Sequence, residues 1–295
     1  MLLSIIIPVY NSEKTIGRLV SHLFEELRGT EFEVILVNDG SHDSSEAVCE
    51  ELAGRLAGVT LVSLRKNFGE FNAVMCGLNH AVGAYSVMID DDFQNPPSEI
   101  LKLLQTAQRG GFDVVYSYYA RKQHSLLRNA GSWLVNWLAT WLLNKPRDLY
   151  LSSFKLIKYD VVQEIIKYSG PFPYIDALVL RTTSHIGRVE VQHAKRTDGR
   201  SNYGPKKLIS LFFTTVFCYS VKPLRLVLVV AIGLFAVGLG GLFCFANQPP
   251  TLPQCLLLAG LQFLGLGIVG EYVGRLFLQQ SGLPQYVIKK IVKRP

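Results

Sequence analysis

Residues 87–97 read VMIDDDFQNPP. An apolar run ends in three adjacent carboxylates, Asp90, Asp91 and Asp92. Like charges this close repel, so keeping all three ionised is costly without a compensating cation. If Val87–Asp90 is a strand, side-chain alternation puts Asp90 and Asp92 on one side and Asp91 on the other. With Gln94 beyond them, the two same-facing carboxylates form an all-oxygen set. Such a set suits Mg²⁺ or Mn²⁺, held through one or two carboxylates plus substrate phosphates. Asn95-Pro96-Pro97 predicts a helix start, with Asn95 as N-cap and proline in the first turn. Taken alone, an acidic cluster after a strand is equally well a solvated loop.

The surrounding chain supplies context. Short β-branched runs at Ser4–Pro8, Glu33–Val37, Thr60–Leu64, Tyr85–Ile89 and Asp113–Ser117 alternate with helical patterns. The clearest helix carries Ile16, Leu19, Val20, Leu23, Phe24 and Leu27 on one face. This alternation predicts an α/β fold with a mostly parallel sheet, whose ligands bind at the carboxyl ends of the strands. Pro8-Val9-Tyr10-Asn11 closes the first strand, Asp39-Gly40-Ser41 the second and Arg65-Lys66-Asn67-Phe68-Gly69 the third. Two ends supply carboxylates and one supplies cations, which fits a metal–diphosphate ligand bearing a base and a ribose. No GxGxxG follows the first strand and no GxxxxGK[ST] occurs, which argues against a dinucleotide fingerprint and a P-loop.

Bulk properties point to a membrane. The hydrophobic fraction of 49% and mean hydropathy of +0.23 are high for a soluble enzyme, and most of the excess follows Pro223. The net charge of +7 is compatible with nucleic acid or an anionic membrane, and the apolar C-terminal third favours the membrane over nucleic acid. Leu226–Ala246 and Thr251–Gly270 carry no charge, and each has the roughly 20 residues that cross a bilayer. Asn247–Pro253 breaks them into a hairpin. Lys206, Lys207, Lys222 and Arg225 before it, with Arg275 and the basic tail after it, place both ends in the cytoplasm. Glycines along the spans, including Gly270 and Gly274, allow close packing within the chain or in a homo-oligomer. Glu271 and Arg275, four apart, read equally as a local ion pair or as part of a lipid-facing site.

Two further segments have amphipathic character. Arg128–Lys145 carries all three tryptophans, Trp133, Trp137 and Trp141, on one helical face between basic ends. It reads as a core helix or, preferably, as a helix in the membrane interface. Pro205–Tyr219 reads as a juxtamembrane helix. The expected layout is therefore a cytosolic domain over 1–204 and a juxtamembrane helix over 205–223. Membrane helices at about 224–246 and 251–272, within 224–278, and a basic cytoplasmic tail over 279–295 complete it. The opening MLLSIIIPVY lacks a basic n-region and its apolar run is cut by Pro8, so it does not read as a signal peptide. Cys49, Cys76, Cys218, Cys244 and Cys255 show no metal spacing and read as reduced small hydrophobes.

IIIPVYN, VILVNDGSHDSS, LRKNFGEFNAVMCGL and MIDDDFQNPP, in this order and spacing, resemble the signature blocks of family 2 glycosyltransferases with the nucleotide-sugar-binding (GT-A) fold. The two spans ending in LGIVGEYVGRLF resemble the subgroup that glycosylates polyprenyl phosphate. The resemblance implies inverting transfer of a sugar, most simply from a UDP-sugar, to undecaprenyl phosphate at the cytoplasmic face of the inner membrane, for cell-envelope glycan such as lipopolysaccharide. It implies a base contact at Asp39 and further donor contacts at Pro8, Tyr10, Asn11, Lys66, Asn67, Gly69, Asp90 and Asp91. It also implies Asp92, Gln94 and Asp90 at an Mg²⁺ or Mn²⁺ ion, and Arg121 and Arg128 at the acceptor phosphate. Arg196 and Ser201 fall in a loop, RTDGRSNY, that closes over the donor. Ser12, Asn38 and Asn202 stand where the pattern usually has Glu, Asp and Lys; Arg200 is the nearest cation to replace the last. A processive polysaccharide synthase of the same fold is the enzymatic alternative, but its Gln-x-x-Arg-Trp motif is missing from this sequence. A non-catalytic membrane protein that binds nucleotide sugars is the other.

Overall fold

A computed structural model describes residues 3–119, 140, 142, 145–146, 148–192, 216–244 and 252–294. The chain divides into two compact units: Met1–Leu134 with Lys145–Asn202 and Pro284–Pro295, and Val135–Asn144 with Tyr203–Leu283.

The first unit is built on an eight-stranded mixed sheet. Its strands are β1 Leu3–Val9, β2 Phe32–Asn38, β3 Val59–Leu64, β4 Tyr85–Met88, β5 Val114–Tyr118, β6 Lys155–Lys158, β7 Ile186–Glu190 and β8 Ile288–Lys293. They lie in the order β7-β5-β6-β4-β1-β2-β3-β8. β4, β1, β2 and β3 run parallel, as do β5 and β7; β6 is antiparallel to β4 and β5, and β8 to β3. The helices are α1 Ile16–Glu26, α2 Ser45–Arg55, α3 Glu70–His80, α4 Glu99–Gly110, α5 Tyr159–Ile165 and α6 Ile175–Thr182.

Strand alternation sorts the core into two layers. Ile5 and Ile7 of β1 join Leu19, Leu23, Leu52 and Leu103 on the α1/α2/α4 face. Ile6, between them in sequence, joins Met75, Leu78, Val162 and Val179 on the α3/α5/α6 face. Strands buried on both faces are nearly continuous apolar runs, as in IIIPV and VILV. Gly77 of α3 faces Ile6 so closely that an added methyl would clash with its side chain.

The chain winds outward from β1 through β2 and β3, then returns to place β4 on the other side of β1. That reversal is a topological switch point, where open α/β sheets bind ligands beyond the carboxyl ends of their strands.

Three local expectations need correction. Strand β4 stops at Met88, so simple alternation does not govern the three aspartates. Helix α4 starts at Glu99 rather than at the prolines. Asn95 does not cap it, because its side chain is buried and its Oδ1 accepts the Tyr119 hydroxyl at 2.8 Å. The last residues are not a free basic tail: Ile288–Lys293 form edge strand β8. Its residues alternate between half-buried and exposed, and the register shifts where Ser63 pairs Lys290 and Leu64 pairs Ile288; Lys289 and Lys290 both reach Glu46 on α2.

The second unit contains α7, Lys222–Cys244, and α8, Leu252–Gln280. Among the described residues, Leu258–Gln280 is the stretch long and apolar enough to cross a membrane. On α7, Leu226, Val229, Ile232 and Phe235 are exposed, and on α8 so are Phe263, Leu266 and Phe277. Gly265 of α8 has its nearest α7 neighbour in Val227, whose Cγ1 would stand 3.7 Å from an added Cβ. Glu271 and Arg275 form a local ion pair at 2.7 Å, and Arg275 also donates to Cys218 Sγ. The tryptophan segment, apart from Thr140, Leu142 and Lys145, lies outside the described residues, as does the juxtamembrane segment before Val216.

Candidate active site

The carboxyl ends of β1, β2 and β4 and the loop after β3 are linked by side chain–backbone hydrogen bonds. At the end of β1, Asn11 takes a left-handed backbone (φ 55°), a conformation asparagine tolerates better than most residues. Its amide donates to Ser41 Oγ at 3.0 Å, and its Oδ1 accepts the His42 amide at 2.9 Å. The Ser12 amide donates to Ser45 Oγ at 2.7 Å. These bonds latch the first loop to the second. Pro8 is half-buried opposite Val37, between buried Ile7 and Val9, and Tyr10 is half-buried with its ring edge-on to His42.

The end of β2 is closed internally. Asp39 is 3% exposed. Its two carboxylate oxygens accept the amides of Phe68 and Gly69 at 2.7 and 2.9 Å. These amides stand at the start of α3, where orphan N–H groups and the helix dipole favour a negative charge. Gly69 itself has φ 94°, which suits glycine. Gly40 has φ 63°, and an added methyl would strike the Lys66 carbonyl carbon and lie 2.6 Å from Asn67 N. The two loops therefore approach backbone to backbone, with Lys66 and Asn67 exposed at the rim. Buried Asn38 completes the turn, donating to Ser63 Oγ and accepting the Ser41 amide.

The end of β4 is different. Its three carboxylates diverge. Asp90 accepts the Ser153 hydroxyl at 2.7 Å. Asp91 accepts the Ser12 hydroxyl and the Tyr10 amide, tying β4 to β1 across the switch point. Asp92 is buried and accepts the Gln94 amide at 3.0 Å. Burial and then the charge of Glu70 push the Asp90 carboxyl up to about 7, with Asp92 and Asp91 adding to the rise against the Ser153 bond. Burial and Asp92 push Asp91 up to about 6. The protein thus gathers negative charge here that it does not itself fully compensate at these two groups.

This donor set fits a hard divalent cation: carboxylates and an amide oxygen, with no sulfur or imidazole. Among the described residues, no three His, Cys, Asp or Glu side chains converge into a ready-made cage.

The sequence reading did not single out several residues that the fold brings to the site. Glu70 opens α3 directly after Gly69, and its position in the same block was the available signal. Ser12 was noted only as a departure, yet it bonds to Asp91. Ser153 comes from the segment before β6, some sixty residues along the chain; the stretch 148–160 reads as lining the sugar pocket, without distinguishing Ser153. Tyr118, Tyr119, Tyr150, Asp148 and Arg188 line a nearby cavity of about 230 Å³ at the end of β5. Arg121, Arg128, Arg196 and Ser201 lie outside the described residues.

The profile of the family "Glycosyl transferase family 2" matches residues 4–164, from β1 to α5. The chain belongs to glycosyl transferase family 2. The glycosyltransferase is 30% identical over 98% of its length to the undecaprenyl-phosphate 4-deoxy-4-formamido-L-arabinose transferase of Edwardsiella ictaluri, covering 94% of that protein. It is 31% identical to the Proteus mirabilis protein of the same name, over 99% of this chain and 95% of that one. Its fold resembles Staphylococcus aureus TarS 1–349 in complex with UDP-GlcNAc, with TM-score 0.51, 20% identity and coverage of 73% and 65%. It also resembles glucosyl-3-phosphoglycerate synthase from Mycobacterium tuberculosis in complex with Mn²⁺, UDP and phosphoglyceric acid, with TM-score 0.52, 20% identity and coverage of 72% and 74%. The mixed, mostly parallel sheet is that of the GT-A fold.

Proposed function

We propose that this glycosyltransferase moves a sugar from a nucleotide diphosphate, most simply UDP, to a polyprenyl phosphate of the undecaprenyl type. The observation that carries this reading is the acidic end of β4 at the switch point, in a chain that aligns end to end with undecaprenyl-phosphate transferases. UDP is the nucleotide bound by the two structural neighbours.

The residues divide the work. Asp39, Pro8, Tyr10, Asn11, Lys66, Asn67 and Gly69 form the floor and rim for the base and ribose. Asp92, Gln94 and Asp90 would hold Mg²⁺ or Mn²⁺. When bound, the ion neutralises the diphosphate as it leaves. Asp91 fixes the β1 and β4 ends together and borders the donor. Arg196 and Ser201 close over the donor, and Arg121 and Arg128 hold the acceptor phosphate; these four assignments come from the sequence pattern. The acceptor oxygen attacks the anomeric carbon from the face opposite the diphosphate. The carbon–oxygen bond to the diphosphate breaks, and configuration inverts. A phosphate monoester has a second pKa near 6, so its oxygen is anionic at neutral pH and no dedicated base is needed. Positioning and electrostatic stabilisation supply the acceleration.

The acceptor's place is the cytoplasmic face of the inner membrane. α7 and α8 serve as the two membrane helices, with both chain ends cytoplasmic. The Trp133, Trp137 and Trp141 segment lies in the headgroup region, against membrane lipids. The glycines of the spans permit a homo-oligomer. Incubating purified full-length protein with undecaprenyl phosphate, Mn²⁺ and a panel of UDP-sugars tests the reading. One sugar should give a lipid-linked product from which mild acid releases the sugar. Consumption of a UDP-sugar without any lipid product would overturn it.

A further inference from the structure

Phe93 lies between Asp92 and Gln94, the two residues placed nearest the cation, and its backbone is left-handed (φ 61°). A non-glycine residue with a bulky side chain rarely adopts this conformation, which persists only where the surroundings over-determine it. The surroundings here are specific. The Arg18 guanidinium carbon lies 5.2 Å from the centroid of the Phe93 ring. The His22 ring meets it edge-on at 5.6 Å and 87°. Arg18 and His22 are four residues apart on α1, so they project from one helical face and bracket one ring. The ring also packs against the core layer beneath α1. The turn that Phe93 makes lets the Gln94 amide return to Asp92 Oδ1.

We infer that Arg18 and His22 on α1 clamp the Phe93 ring and thereby position Asp92 and Gln94 for the donor diphosphate and its cation. The inference rests on the assignment of the β4 end to that ligand. Arg18, His22 and Phe93 are positioning residues: none is placed in contact with the substrate. A short Asp-rich loop would otherwise spread its carboxylates apart by repulsion. An aromatic anchor in its middle resists that spreading without adding charge.

Arg18 and His22 are exposed and line an open groove of about 520 Å³ between α1 and α2, so removing them empties no core volume. The test is calorimetric titration of UDP, with saturating Mn²⁺, into the full-length protein. Each variant's melting temperature is measured alongside. Phe93→Gly tolerates the left-handed backbone but loses the anchor; UDP affinity should fall about tenfold. Arg18→Ala with His22→Ala should weaken UDP about threefold at an unchanged melting temperature, and Arg18→Lys should restore part of the loss. Unchanged UDP affinity in the double variant, where Asp92→Ala abolishes the effect of Mn²⁺, would overturn the clamp alone. If Asp92→Ala also changes nothing, the assignment of the loop falls and the clamp falls with it. The double variant keeps the test open should Phe93→Gly fail to fold.

Discussion

Two acidic strand ends flank the end of β1 in this molecule, and the fold treats them in opposite ways. At the end of β2, Asp39 is buried, and both its oxygens are taken by backbone amides at the start of α3. At the end of β4, Asp90 and Asp91 receive serine hydroxyls, and burial together with neighbouring carboxylates pushes them up to about 7 and about 6. The first carboxylate is spent on holding two loops together. At the second group burial and mutual repulsion oppose ionisation, and the proposed cation would relieve both. Proximity to a ligand crevice is therefore not enough to tell a structural aspartate from a chemical one; the source of its hydrogen bonds does so.

The comparison can be broken from either side. Asp92→Ala should cost most, about 10²–10³-fold in kcat/KM for sugar transfer, as expected when one electrostatic contact to a leaving group is lost. Its melting temperature should fall less than that of Asp39→Ala, because its bond to the Gln94 amide lies within its own turn, whereas Asp39 holds a separate loop. Asp39→Ala should instead appear in stability. Two charge-assisted bonds to otherwise orphaned amides are lost, and the unfolding free energy should fall by about 3 kcal/mol in denaturant titration. If Asp39→Ala left stability intact while abolishing binding, the two ends would be alike after all. Ser153→Ala removes one hydroxyl from Asp90 and should weaken donor binding about fivefold, measured as a rise in KM. Lys290→Ala on β8 breaks partly exposed ion pairs to Glu46 and Glu50 on α2. Its effect on stability should stay below about 0.5 kcal/mol.

Much of this arrangement is legible in the sequence because its signals are local. The apolar strands, the periodic face of α1 and the acidic or glycine-bearing strand ends each occupy a few consecutive residues. From these the mostly parallel sheet and the crevice at its strand ends follow. What is not legible depends on partners remote in the chain. Nothing around Asp90 announces Ser153, and nothing around Phe68 and Gly69 says that Asp39 will use both oxygens on their amides. The basic C-terminal stretch reads as a tail because its lysines dominate its composition. It is a strand because Ile288, Val292 and the edge of β3 complement each other, and Glu46 and Glu50 on α2 take up the charge. The left-handed turn at Phe93 was hidden for another reason: its residue type does not predict it.

The central claim is that the β4 end, unlike the β2 end, is completed by a divalent cation together with the donor diphosphate. Titrating Mn²⁺ into full-length protein with saturating UDP, and following free Mn²⁺ by electron paramagnetic resonance, tests it directly. The parent protein should bind Mn²⁺ in a UDP-dependent step, and Asp92→Ala should lose that step. UDP-dependent Mn²⁺ binding of equal affinity in the parent and in Asp92→Ala would contradict the account.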